Sequence, residues 1–208
     1  MRPFRTVLRG LLACALLAVL ALPAFGQGKT IRIALNQDPD ILDPSLARSY
    51  VGRIVFANMC EKLYDIDTKG TLIPQMATAL PKFSDGGKTV EIKIRAGMKF
   101  NDGTPADANA LKLSLERHKT IKGSSRASEL TSIVSVEVVD PVTIRLKMNA
   151  PFSPIVAALA DRSGMMMSPA ALEKLGDKFG TAPVCVGPWK FTERVPQERI
   201  VLDRSEFY

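Results

Sequence analysis

"MKFNDGTPADANALKLSLER" (residues 98–117) runs a strand end, a tight turn and a helix start together. Asn101-Asp102-Gly103 has the composition of a turn leaving a strand. Thr104 reads as the N-cap of the helix, Pro105 as its first position and Asp107 as its third, where a carboxylate favours a helix N-terminus. The spacing predicts a helix over 106–119, with Ala108, Leu111, Leu115 and His118 on one face. A phosphate loop is excluded, because the glycine spacing and the Lys-Ser/Thr pair are absent. A calcium loop is excluded, because no alternating carboxylates end in a Glu. The stretch is a structural corner between a strand and an amphipathic helix.

Outward from this corner, strands and helices mix irregularly. "KTIRIALNQ" (29–37) alternates apolar Ile31, Ile33 and Leu35 with polar neighbours and reads as a strand. "DPDILDPS" breaks regular structure at two prolines. "YVGRIVFANMCEKLYDID" begins as a helix and ends as a short strand, followed by a turn at Lys69-Gly70. "TLIPQMATALPKF" reads as an extended connector. "TVEIKIR" (89–95) follows the turn Asp85-Gly86-Gly87 as the second strand of a hairpin. "VSVEVVDPVTIRLKMN" is a hairpin turned at Asp140-Pro141. "SPIVAALA" and "SPAALEKLGDKFG" read as helices, each with Ser as N-cap and Pro at the first position. "GPWKFTERVPQERIVLDRS" is a last hairpin, turned near Pro196-Gln197. The pattern lacks steady strand-helix alternation, so the fold class is α+β with a mixed sheet.

The first 26 residues carry Arg2, Arg5 and Arg9, an uncharged apolar run from Leu11 to Leu22, then Pro23 and Ala24-Phe25-Gly26. This is the pattern of a secretory signal peptide cleaved after Gly26. The run is too short to span a bilayer, which takes roughly 20 residues. A lipid-modified Cys14 fits poorly, since most of the apolar region follows it. Of the 28 Lys and Arg, three would leave with this leader, so 25 would remain against 21 Asp and Glu. The remaining charge is dispersed, with no basic run of the kind a nucleic-acid groove needs.

Chemistry is sparse. His118 is the single histidine. Neither a serine-hydrolase elbow nor a zinc-protease motif is present. Glu61, Asp65 and Asp67 read as an exposed strand end. Cys60 and Cys185 are too few and too widely spaced for zinc, so no metal or cofactor is expected. In an oxidising compartment the pair reads first as a disulfide, with two separately buried thiols as the alternative. The polar loop Asn36-Gln37-Asp38-Pro39-Asp40 stands out as a place for ligand contacts.

The order of "IRIALNQDPDILDPSLA", "NMCEKLYDID", "GTLIPQMATAL", "SDGGKTVEIKIRAGMKFNDGTPADANALKLSLER", "VVDPVTIRLKMNAPFSPIVAALA", "MMMSPAALEK" and "APVCVGPWKF" resembles the bacterial extracellular solute-binding proteins of family 5. These are peptide- and nickel-type periplasmic receptors of ABC importers. The resemblance implies a type II periplasmic-binding-protein fold. Residues 27–208 would supply lobe I, with 73–183 as an inserted smaller subdomain, and lobe II would be missing. It implies a periplasmic protein that captures a di- or oligopeptide for an ABC permease and its ATPase. A truncated, non-binding fragment and an exported hydrolase are the alternatives. It also implies that the loop from Asn36 to Leu42, including Gln37, Asp38 and Asp40, faces the ligand cleft. The segment Arg162 to Met167, with Met165 and Met166, would join it, as would Val186-Gly187-Pro188-Trp189. The Cys60 and Cys185 positions resemble a pair found in a subset of the family.

Overall fold

The computed structural model describes residues 29–208; the signal-peptide reading, and Cys14 with it, lies outside them. Residues 35–208 form one compact unit. The centre is an antiparallel sheet in the order β3-β4-β6-β5, made of Lys82–Ser84, Thr89–Lys93, Thr143–Met148 and Ile133–Asp140 respectively. Alternation decides which way each side chain faces. Val90, Ile92, Ile144, Leu146 and Val136 turn inward and are buried. Helix α2 (Ala108–Thr120) joins them in the main core through Ala108, Leu111 and Leu115. On the outer face the register aligns Lys82, Glu91, Arg145 and Glu137 across the four strands, alternating in sign.

The corner at 98–117 forms, with a different cap. Helix α2 begins at Ala108, and Asp107 is its N-cap, accepting from the amides of Asn109 (2.9 Å) and Ala110 (3.0 Å). Thr104 instead donates to Asp102 Oδ1 at 2.6 Å, and Pro105 is bridged to Lys99 as extended backbone. Asp and Thr are comparable caps. The bridge to Lys99 keeps residues 104 and 105 out of the helix, so the later candidate wins.

Helix α1 (Tyr50–Met59) is followed by β1 (Tyr64–Ile66). Strand β1 pairs with β2 (Leu72–Pro74), so the expected connector at 71–83 holds two short strands, β2 and β3. Of the two Ser-Pro helices, only α4 (Pro169–Leu175) opens as expected, with Ser168 accepting from Ala171 N. Helix α3 (Ile155–Ala158) is one turn, starting after Pro154 without a side-chain cap. The final hairpin pairs β7 (Trp189–Val195) with β8 (Arg199–Arg204), turning through Gln197 at φ 61°. Residues 29–37 form no strand; Ile31 and Ile33 are 79% and 68% exposed. Alternation makes a strand only where a neighbouring edge accepts its hydrogen bonds. Glu61 is not an exposed strand end either. It is buried, pairs with Arg95, and accepts from Tyr208 OH at 2.7 Å.

A second core cluster holds Leu42, Phe56, Met59, Met165 and the Cys60–Cys185 disulfide, whose Cα atoms lie 5.0 Å apart. The chain passes so close here that a Cβ on Gly187 would sit 2.4 Å from the Met59 carbonyl oxygen.

Candidate functional site

The loop at 36–42 is built around α1. Asp40 accepts from Arg48 N (2.8 Å) and from the Ser49 hydroxyl (2.8 Å). That hydroxyl in turn accepts from Gly52 N and caps α1. Asp40 therefore orients the helix entrance. Asp38 pairs with Arg194 at 2.8 Å, and this hydrogen bond holds its carboxyl below the usual carboxylate range. Between this loop, the turn at Lys178 and the hairpin tip at Gln197 lies an open recess of about 680 Å³. Asn36 and Gln37 are exposed, whereas Leu42 is fully buried.

Beside the α1 entrance lies a cluster of arginines. Arg162 is 3% exposed. Its Nη1 donates to the Ser49 carbonyl at 3.3 Å, while its Nε is buried without a partner. Arg126 is also buried; its Nη1 meets Glu129 Oε1 at 2.6 Å, and its Nε too lacks a partner. The other Glu129 oxygen accepts from the Ser163 hydroxyl. Asp161 accepts from Arg53 Nη2 at 2.5 Å and Nε at 3.0 Å. Burial, the largest influence, works against the charged form of Asp161, but hydrogen bonds from Arg53 and the Arg162 backbone amide, together with the Arg53 and Arg162 charges, outweigh it and lower its pKa. Desolvation, reinforced by the Arg126 charge, pulls Arg162 below the ordinary guanidinium value. Three arginines thus face two carboxylates, and two buried guanidinium nitrogens are unsatisfied. Such donors are costly unless an acceptor reaches them. The arrangement is chemically suited to an anion with paired acceptor oxygens, a carboxylate above all.

Of the residues singled out in the sequence, Asp40 and Arg162 come together through Ser49. Asp38 joins them only through the loop. Met165 and Met166 are 2% and 0% exposed. They are core, because the segment is drawn inward: Leu63 N bonds to Gly164 O, and the Met165 carbonyl accepts from His118. They form no apolar wall open to a ligand. Gly187 is likewise packed inside, while Trp189 stands 38% exposed at the start of β7. Sequence reasoning passed over Arg53, Arg126, Glu129 and Asp161. These residues are scattered along the chain and form no motif.

A serine and a histidine do meet. The Ser45 hydroxyl donates to His118 Nδ1 at 2.9 Å, and His118 Nε2 lies 3.0 Å from the Met165 carbonyl and so carries the proton. Both residues are fully buried. The nearby carboxylate, Asp43, binds Arg117 at 2.6 Å rather than orienting the imidazole. Burial pulls His118 down to about 4. This network joins the 43–45 segment to α2, and no substrate can reach it.

Among known proteins, the profile of the bacterial extracellular solute-binding proteins, family 5 (middle region), matches residues 71–208. A glutathione-binding protein GsiB of Escherichia coli O6:K15:H31 is 31% identical over 198 residues, covering 92% of this chain and 38% of that protein. The GsiB of Salmonella paratyphi A is 33% identical over 174 residues, covering 83% and 34%. The chain therefore spans less than two fifths of the length of these relatives. Among solved structures, AgaA in complex with agropinic acid aligns at a TM-score of 0.76, with 29% identity, over 83% of this chain and 35% of that one. The oligopeptide ABC transporter substrate-binding domain of Bacillus anthracis str. Ames aligns at 0.76, with 20% identity, over 85% and 38%. The fold is that of part of a type II periplasmic binding protein, and the chain belongs to the bacterial extracellular solute-binding proteins of family 5.

Proposed function

We propose that this protein serves as a solute-binding component of an ABC importer, and that it captures a small peptide carrying a free carboxylate. Glutathione and di- or oligopeptides are the first candidates. The single observation that carries the reading is the pair of buried arginines, Arg126 and Arg162, with unsatisfied Nε atoms beside the α1 entrance. The peptide carboxylate would meet the positive end of α1 and the arginine cluster. The loop carrying Asp38 and Asp40 would border it, and the exposed face of Tyr50 would offer apolar contact. Delivery would be to a membrane permease and its ATPase, from an exported location. The names of the relatives support this reading: one binds glutathione, and others belong to peptide transport.

The test is thermal unfolding against a panel of glutathione, free dipeptides, C-amidated dipeptides and neutral sugars. A ligand at 100 times its dissociation constant adds about 2.7 kcal/mol of stability. We expect a clear upward shift for the free acids, a smaller one for the amides and none for sugars. Equal shifts for acids and amides would refute carboxylate recognition.

A further inference from the structure

We propose that Asp161 is a built-in stand-in for the ligand's carboxylate, occupying Arg53 until a ligand displaces it. The inference rests on the carboxylate reading above. Asp161 grips Arg53 through both of the guanidinium's near nitrogens, at 2.5 and 3.0 Å. Both partners face solvent, with side-chain exposures of 49% for Arg53 and 27% for Asp161. An open pair of this kind is weak and readily exchanged. Asp161 cannot also satisfy Arg162. Its Oδ1 lies 3.8 Å from the Arg162 Nε, beyond hydrogen-bond reach, because a carboxylate one residue away is tethered too tightly to align with its neighbour's guanidinium. An untethered carboxylate has no such restraint. It can take Arg53 from Asp161 and lie closer to the Arg162 and Arg126 charges.

Asp161 then has two effects. In the empty protein it holds Arg53 against the cluster rather than letting it trail into solvent. On binding it competes, so a ligand must offer a better acceptor than the one already present. A ligand without a carboxylate has nothing to exchange and forgoes the Arg53 contact. No proton is moved in this exchange. One ion pair is broken and another forms.

The experiment is calorimetric binding of glutathione, Ala-Phe and Ala-Phe-amide to the protein and to Asp161→Asn, which keeps the shape and removes the charge. We expect glutathione and Ala-Phe to bind the variant about two- to fivefold more tightly, the range open to an exposed ion pair, with Ala-Phe-amide unchanged. The gain should vanish in Asp161→Asn combined with Arg53→Gln. Asp161→Ser carries the same expectation should the Asn variant fold poorly. Unchanged or weaker binding of the free acids by a folded variant overturns the stand-in role while leaving carboxylate recognition in place. A wild-type protein that binds none of the three probes overturns both.

Discussion

At the residue scale, His118 is the clearest case of burial deciding chemistry. Its folded pKa of about 4 lies below the ordinary value of 6.5. Between those values the unfolded chain binds a proton that the folded chain refuses. Stability is therefore complete above about pH 6.5 and is lost as pH falls toward 4, by up to about 3 kcal/mol. Urea denaturation across this range should show the slope, and His118→Gln should flatten it. Gly187 makes the opposite kind of prediction, one of space. A methyl group there would collide with the Met59 carbonyl at 2.4 Å. Gly187→Ala should cost about 1–3 kcal/mol by overpacking, read as a lower urea midpoint. Neither effect is legible in a single sequence. Histidine on the core face of a helix was readable, but its partners Ser45 and Met165 lie 73 and 47 residues away.

At the element scale, capping separates what local chemistry can and cannot fix. The existence of α2 and its buried stripe follow from periodicity, and both formed. Its first residue did not follow, because Thr104 and Asp107 are both good caps and a bridge from Lys99 chooses between them. Asp107→Ala should cost about 1 kcal/mol of stability, with Thr104→Ala costing less, as thermal melts of the two variants would show. The hairpins at Asp140-Pro141 and Pro196-Gln197 were legible for the same local reason: turn residues between alternating runs. The strand expected at 29–37 was not, since alternation says nothing about where a partner edge lies. The arginine cluster was equally hidden. Arg53 sits on α1, Arg126 leads into a turn and Arg162 follows α3; only tertiary packing makes neighbours of them.

At the scale of the whole molecule, the Cys60–Cys185 bridge closes a span of 125 residues. The chain-entropy model allows about 5 kcal/mol for such a loop, as an upper limit. Cys60→Ser paired with Cys185→Ser should lower the melting temperature, and the loss should match that of reducing the wild-type protein under denaturing conditions before refolding. Beneath the bridge, the buried Asp43–Arg117 pair fastens the same early segment to α2. Removing one partner alone strands a charge, so Arg117→Met should cost more than the double change with Asp43→Leu.

The 43–45 segment also has a history in time. It leaves the ribosome before its partners do, yet its native contacts are to Arg117, His118 and, through them, the backbone at Met165. Long-range closures of this kind are slow, because chain must be ordered before any contact repays it. The 43–45 segment, though made early, is thus among the last to become native. A polar stretch broken by Pro39 and Pro44 suits that wait: until its partners exist, it offers little for another chain to pair with.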